Sequence, residues 1–381
     1  MKKSIMLLIF SVIWVFLLIG CGDTNPQDND ADQPDPSIDI ESQIHEQDQG
    51  QLQAASPTPN LPSTEASLGM TEDFVSVMAD INYQAERTHR EIARFDFPSA
   101  SERNDILVLG DSLLISDTDN HRLILMDKNG NILSYIGSRG SEQGYFREPR
   151  GLTQDEHGNV YVVDSWNFRI QKFDPNLVFI EEIDLVFARN IMESMEEFTG
   201  SSLVNSIAIY DDNIYLSIDS MQRDHSRVYI LDRNGNLTRS EANRIGFLDT
   251  NLDSGEVYFL NMLTHDVENR TPSENSLGRR GTGNSMMYFM NDTEITKQVV
   301  FDRQLAPLNA MNYDGSMYIV TKGFAGIIRM NPNDFTGELI FTINMPVNAT
   351  FPNMGRAAMD EDGTFYIIDA ADKQIVKVGT Q

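Results

Sequence analysis

Cysteine occurs once in the 381 residues. That scarcity excludes an intrachain disulfide, a thiolate metal cluster and a Cys-x-x-Cys redox pair. Basic residues are also few: 29 Lys and Arg face 57 Asp and Glu, a formal net charge of −28. Nucleic-acid binding needs basic patches that collect phosphates, so no nucleic-acid partner is expected of so acidic a chain. His45, His89, His121, His157, His225 and His265 stand at spacings that match no helical or hairpin metal pair. There is no Gly-x-Ser-x-Gly elbow and no P-loop. What is present, 40% apolar residues in a chain of this length, is enough for a large core.

The one long apolar run is near the start. Lys2 and Lys3 precede an apolar stretch from Ile5 to Ile19 broken only by Ser11, and Gly20 and Cys21 follow. A charged n-region, an h-region and small residues describe a secretory signal, and the run is marginal for a membrane span. The ending Leu18-Ile19-Gly20-Cys21 resembles the bacterial lipobox. The resemblance implies a signal peptide over 1–20, cleavage before Cys21 and lipidation of that cysteine, hence membrane attachment through the lipid. The alternatives are an ordinary secreted protein with a stray cysteine and an uncleaved anchor helix. Gly22 and the acidic run from Asp23 point, by resemblance to sorting patterns, to the outer membrane or cell surface of a bacterial envelope.

Residues 22–86 hold fourteen acidic residues and no Lys or Arg, so this stretch carries −14 and residues 87–381 carry −16. Rich in Pro, Gln, Ser and Asp, residues 21–86 are expected to form a disordered, self-repelling tether. Weak periodicity around Phe74, Val75, Val77 and Met78 allows a short helix.

Beyond residue 87 short apolar runs alternate with Asp/Asn/Gly turns, and the pattern repeats. Leu113–Gly137 and Val160–Ile183 each read as a strand, a turn closing with Arg, a strand ending in Asp, a tight turn and a third strand. Asp117 and Asp164 are 47 residues apart, as are Arg122 and Arg169. Weaker copies bring the number of units to six, and a further short strand precedes each. Four strands in about 45 residues match the blade of a β-propeller. The fold class expected is therefore all-β: a six-bladed propeller with blades near 105–137, 151–185, 206–241, 246–302, 307–344 and 356–381. The last unit lacks a fourth strand, and Arg90–Phe97 is expected to supply it and close the ring.

The segment Gly137–Asp174 resembles an NHL repeat through Gly140, Gly144, Phe146, Pro149-Arg150-Gly151, His157-Gly158-Asn159, Val163-Asp164 and Asn167-Phe168-Arg169-Ile170. Asp117–Arg122 carries the same element one blade earlier. The chain is thus similar to six-bladed propeller lipoproteins of bacterial envelopes, the strong match covering only residues 105–185. The repeated Asp and Arg are expected to pair across the turn as a structural device rather than to hold a ligand.

The loops between second and third strands and the blade connections share one rim, and they vary most. On it stand the candidate ligand-binding residues Arg139, Arg147, Arg150, Trp166, Asn167, Phe168, Arg223, His225, Arg279, Arg280, Lys322 and Phe324. The arginines, if they converge over the channel mouth, would hold a small anion; otherwise they are solvated loop charges. A polar insertion at 261–285 and a connection at 186–206, with a short helix expected over 190–198, open onto this rim.

The first function expected is non-catalytic: an envelope-anchored propeller binding a glycan, peptide or protein. The alternative is a metal-assisted hydrolase or lyase of lactonase type in the central channel. The inward-facing candidates for such a site are Thr153 or Gln154, Asn205, Asp249 or Asn251, Asn309 or Asn312, and Arg356. No cofactor is expected, with calcium held by Asn and Asp around the channel as the open exception. Asp360-Glu361-Asp362-Gly363 repeats the Asp/Gly turn of other blades and lacks EF-hand spacing. Met286, Met287 and Met290 are expected to fill core.

Overall fold

Alternating apolar residues joined by Asp-Gly turns make consecutive strands fold back on one another, and here they do so six times. A computed structural model of the protein describes residues 69–193, 203–219, 227–242, 246–251, 256–261, 285–290, 294–301, 305–322, 326–343 and 354–380, all within the compact unit Leu61–Gln381. Three N-terminal strands come first: β1 (Gly69–Met78), β2 (Asp80–Asn82) and β3 (His89–Asp96). Blade 1 is β4 (Ile106–Leu109), β5 (Ser112–Asp117), β6 (Arg122–Asp127) and β7 (Ile132–Ile136). Blade 2 is β8 (Pro149–Gln154), β9 (Val160–Asp164), β10 (Arg169–Phe173) and β11 (Phe179–Asp184), followed by α1 (Val186–Glu193). Blade 3 is β12 (Leu203–Tyr210), β13 (Asn213–Asp219), β14 (Arg227–Asp232) and β15 (Leu237–Ala242). Blade 4 is β16 (Gly246–Asn251), β17 (Glu256–Asn261), β18 (Met286–Met290) and β19 (Glu294–Val300). Blade 5 is β20 (Pro307–Tyr313), β21 (Ser316–Thr321), β22 (Gly326–Met330) and β23 (Thr336–Thr342). Blade 6 is β24 (Met354–Met359), β25 (Phe365–Asp369) and β26 (Gln374–Thr380), with β3 as its fourth strand. β3 runs antiparallel to β26 from Asp96 opposite Gln374 to His89 opposite Thr380, so the N-terminal segment closes the ring.

The same local chemistry recurs in the turns. The Asp127 carboxylate accepts the N–H groups of Asn129 and Asn131, and Asp155, Asp232 and Asp360 repeat this at their own turns. Asp360 also receives the Tyr366 hydroxyl and the Lys128 ammonium, which leaves it no calcium-loop role. Tyrosine recurs after the first apolar residue of the second strand as Tyr161, Tyr215, Tyr258, Tyr318 and Tyr366, all buried. Three of these hydroxyls meet the next blade or its turn partner: Arg233 donates to Tyr161, Asn312 donates to Tyr258, and Tyr366 reaches the carboxylate that Lys128 pairs. Met287 and Met290 are buried core residues, as expected.

Three expectations are corrected. The tether expected over 21–86 does not extend to 86: β1 adds a parallel fifth strand outside β19 of blade 4, and β2 adds one outside β23 of blade 5. Ala79 and Ile81 are buried in the blade 4–5 cluster, and Val77 and Tyr83 pack against it. Residues 74–78 are therefore strand and not helix, because the edge of blade 4 offers backbone partners that an isolated turn of helix lacks. The helix expected over 190–198 begins at Val186, where it packs Ala188 under the blade 2–3 cluster. Cys21, the signal segment and the insertion beyond Asn261 lie outside the described residues.

His89 opens β3 and is buried between Tyr318 of blade 5 and Phe365 of blade 6, with ring centroids 6.5 and 6.0 Å away. Burial first, and then the Arg329 guanidinium, push its imidazole below the ordinary 6.5. A depressed histidine favours the fold only while neutral, so this stability is present above pH 6.5 and is lost as the pH falls below it. Thermal melts should show the wild type losing more between pH 7.5 and 5.5 than His89→Phe does; equal losses would remove His89 from the acid response.

Candidate functional site

The six inner strands approach closely around the channel, where backbone N–H groups at their ends need partners. Side chains from neighbouring blades supply them. Asp105 Oδ2 accepts from Leu152 N at 3.0 Å, Ser206 Oγ from Leu248 N at 3.0 Å, Asp249 Oδ2 from Ala310 N at 2.9 Å and Asn309 Oδ1 from Ala357 N at 2.8 Å. Between blades 2 and 3 the corresponding residue is Gly151, where a Cβ would come within 3.1 Å of Ile207 N and Ser206 Cα. Arg150 spans that junction instead, its Nη1 donating to Asn205 Oδ1 at 2.6 Å.

Blade 6 places Arg356 at this level. Its Nε stands 3.3 Å from Asp105 of blade 1, and its Nη2 donates to Asp249 Oδ1 at 3.0 Å and to the Leu248 carbonyl at 3.2 Å in blade 4. The guanidinium lies 4.8 Å from the centroid of the Phe247 ring and is 4% exposed. Asp105 and Asp249 thus converge, as a metal site would require, but upon an internal cation, while Asn309 donates to Asp249 from the next blade. Among the described residues no group of three or more His, Cys, Asp or Glu is placed to hold a metal ion. Burial pushes the Asp249 carboxyl up to about 6, against the pull of Arg356 and the Ala310 N–H.

From this level a cavity of about 330 Å³ runs along the inner strands toward the short Asp/Gly turns. Thr153, Gln154, Thr250, Asn312, Met311 and Met359 contribute to its wall. Asn312 is tied to the Tyr258 hydroxyl, and Thr250 Oγ1 is buried without a hydrogen-bond partner. The cavity is therefore on the side of the Arg356 contact away from the variable rim, where the sequence placed the ligand.

On the variable rim, each of the first two blades turns from its second to its third strand through a short 3-10 turn. Arg122 Nε donates to Asp117 Oδ2, and Arg169 Nε to Asp164 Oδ2, both at 2.9 Å. Asn120 and Asn167 donate to the same carboxylates, and His121 and Phe168 take the left-handed conformation with φ of 56° and 52°. In blade 2 the Asp164 carboxylate also accepts the Arg147 N–H at 2.6 Å. Arg169 Nη2 donates to the Glu142 and Tyr145 carbonyls, and Gln171 holds Gly144 and Tyr145. These polar residues pin the connection between blades 1 and 2 as well as their own turn.

Residues 146–173 match the NHL repeat. No curated protein matches the chain. Among solved structures, a virginiamycin B lyase from Staphylococcus aureus shares 13% identity over 77% of this chain and 99% of its own, with a TM-score of 0.47. A streptogramin B lyase shares 12% over 76% and 97%, with a TM-score of 0.46. A protein of unknown function from Bacteroides thetaiotaomicron shares 13% over 79% and 75%, with a TM-score of 0.47.

The NHL repeat brings part of the expected rim set together. Arg147 stands 5.4 Å from the Trp166 ring, and Arg139 is held beside Phe146 by a short parallel bridge. Burial, and then Arg139, lower the His121 imidazole against the pull of Glu148, whose N–H donates to His121 Nδ1 at 3.0 Å. Asn167 is spent on Gly140 and Asp164, and Phe168 packs against the blade 2–3 cluster below Arg189. Arg150 pairs with Glu148 at 3.4 Å, Arg103 with the same Glu148 at 3.1 Å, and Lys322 with Glu102 at 2.7 Å. Arg150 and Lys322 are therefore each committed to a carboxylate pair. Arg223, His225, Arg279, Arg280 and Phe324 lie outside the described residues. Asp105 escaped the sequence reading, although it precedes the positive-φ Gly110 by the same spacing that separates Ser206 from Asp211 and Asn309 from Asp314.

Removing the cation leaves the buried Asp105 and the part-buried Asp249 carboxylates without it, a loss of about 3–5 kcal/mol for a fully buried pair and less here. Arg356→Met should unfold at lower denaturant, and adding Asp249→Asn should recover part of the loss. A variant as stable as the wild type would show that the charges are solvated.

Proposed function

We propose that this protein is a lipid-anchored, non-catalytic binding module. Its propeller is presented at a bacterial envelope surface through Cys21 and the acidic stretch that follows. The observation carrying the reading is the state of the channel carboxylates. Asp105 and Asp249 are committed to Arg356 and to backbone N–H groups, so recognition falls to the rim, where Arg147 and Trp166 form a basic and aromatic shelf. Such a shelf suits a glycan, a peptide or an exposed protein segment with anionic groups, through stacking and charge-assisted hydrogen bonds. The acidic stretch repels an anionic membrane surface and holds the domain away from it.

A second reading, a metal-assisted hydrolase or lyase in the channel, is favoured by one observation, the Asp249 carboxyl raised to about 6. The two separate experimentally. On the binding reading, millimolar calcium or zinc leaves the melting temperature of the wild type unchanged, whereas calcium stabilises Arg356→Ala, in which the two carboxylates have lost their cation. A wild-type shift together with bound metal in elemental analysis would overturn the binding reading in favour of the hydrolase.

A further inference from the structure

The outer edges of the blades are treated unequally. Blades 4 and 5 are covered by β1 and β2, whereas blade 1 ends on β7 with no strand beyond it among the described residues. Ile132, Leu133 and Tyr135 of β7 are 44%, 55% and 51% exposed. The whole stretch from Asn129 to Ser138 contains no charged residue, on a propeller that carries −16. The Arg122 guanidinium, 3.9 Å from the Tyr135 ring, holds that side chain in place. An open, flat apolar edge presents unpaired N–H and C=O groups in a row and invites another strand.

We propose that β7 pairs antiparallel with β7 of a second copy about a twofold axis, so that the protein is a homodimer joined through blade 1. Repulsion between two acidic copies is screened beyond about 8 Å at physiological salt, so the charges facing each other at the contact decide whether they approach. β7 is an uncharged strip on which that approach meets no carboxylate. It is also self-complementary. With Ser134 on the axis, Ile132 faces Ile136 of the other copy and Leu133 faces Tyr135, apolar pairs of the kind that stabilise neighbouring strands. The small Ser134 lets the two backbones close at the centre. The neighbouring edge of blade 2 continues the surface: Val178 and Ile180 are exposed there, and Ile136, Leu177 and Phe179 pack against one cluster.

Ser134→Cys in the full chain tests the axis directly, because the sequence has only one other cysteine, Cys21. Cα atoms directly opposite in an antiparallel pair stand within disulfide reach. Mild oxidation of membranes bearing this variant should give a reducible band of twice the chain mass. The same treatment of the wild type and of Asn234→Cys, in an exposed turn of blade 3, should not. Adding Leu133→Lys to Ser134→Cys should abolish the band while the melting temperature holds. Absence of the dimer band, an equal band from Asn234→Cys, persistence with Leu133→Lys at unchanged melting temperature, or an adduct of a different mass from another protein's strand would each overturn the proposal.

Discussion

One buried cation sets the geometry of the channel. Blades of a propeller ordinarily touch only their two neighbours, and most of the polar contacts around this channel obey that rule, each linking one inner strand to the next. Arg356 is different, because from blade 6 it reaches both adjacent blade 1 and blade 4 across the ring. A contact that skips a neighbour fixes the ring's width as well as its order. It also decides what the channel is chemically. Two carboxylates converge there, and the charge they need is supplied covalently.

The regular part of the fold was legible because its causes are local. The 47-residue recurrence of Asp117 and Arg122 at Asp164 and Arg169 marks a turn that each blade builds from its own residues. The closing role of β3 was legible by subtraction, since the last unit lacked a strand. β1 and β2 were hidden for the opposite reason. Parallel strands on an outer edge are held largely through the backbone, and Ala79 and Ile81 give too short an alternation to stand out from an acidic, proline-rich stretch.

The site was less legible than the fold. Arg356 and Asp249 were both named as inward-facing, but their partnership joins residues 107 positions apart and depends on Asp105 at the far end of the domain. No spacing within a blade encodes a contact that crosses the ring. The rim arginines show the same limit: Arg150 and Lys322 looked like available charges in sequence, and only three dimensions bring Glu148 and Glu102 to them. Among the described residues, the rim candidates that the structure sets side by side, Arg147 and Trp166, adjoin the turn that is most thoroughly braced.

The belt formed by β1, β2 and β3 carries a consequence for how the molecule comes into being. These strands stand at the front of the propeller sequence, yet their partners are in blades 4, 5 and 6, and Asp96 must find Gln374 to close the seam. Contacts so distant along the chain are slow to form because the intervening loop must first be gathered. Residues 69–96 are therefore made before any of their partners, β1 waiting for blade 4, β2 for blade 5 and β3 for the last blade. The protein is held open through most of its own synthesis, and the ring locks only when its two ends meet.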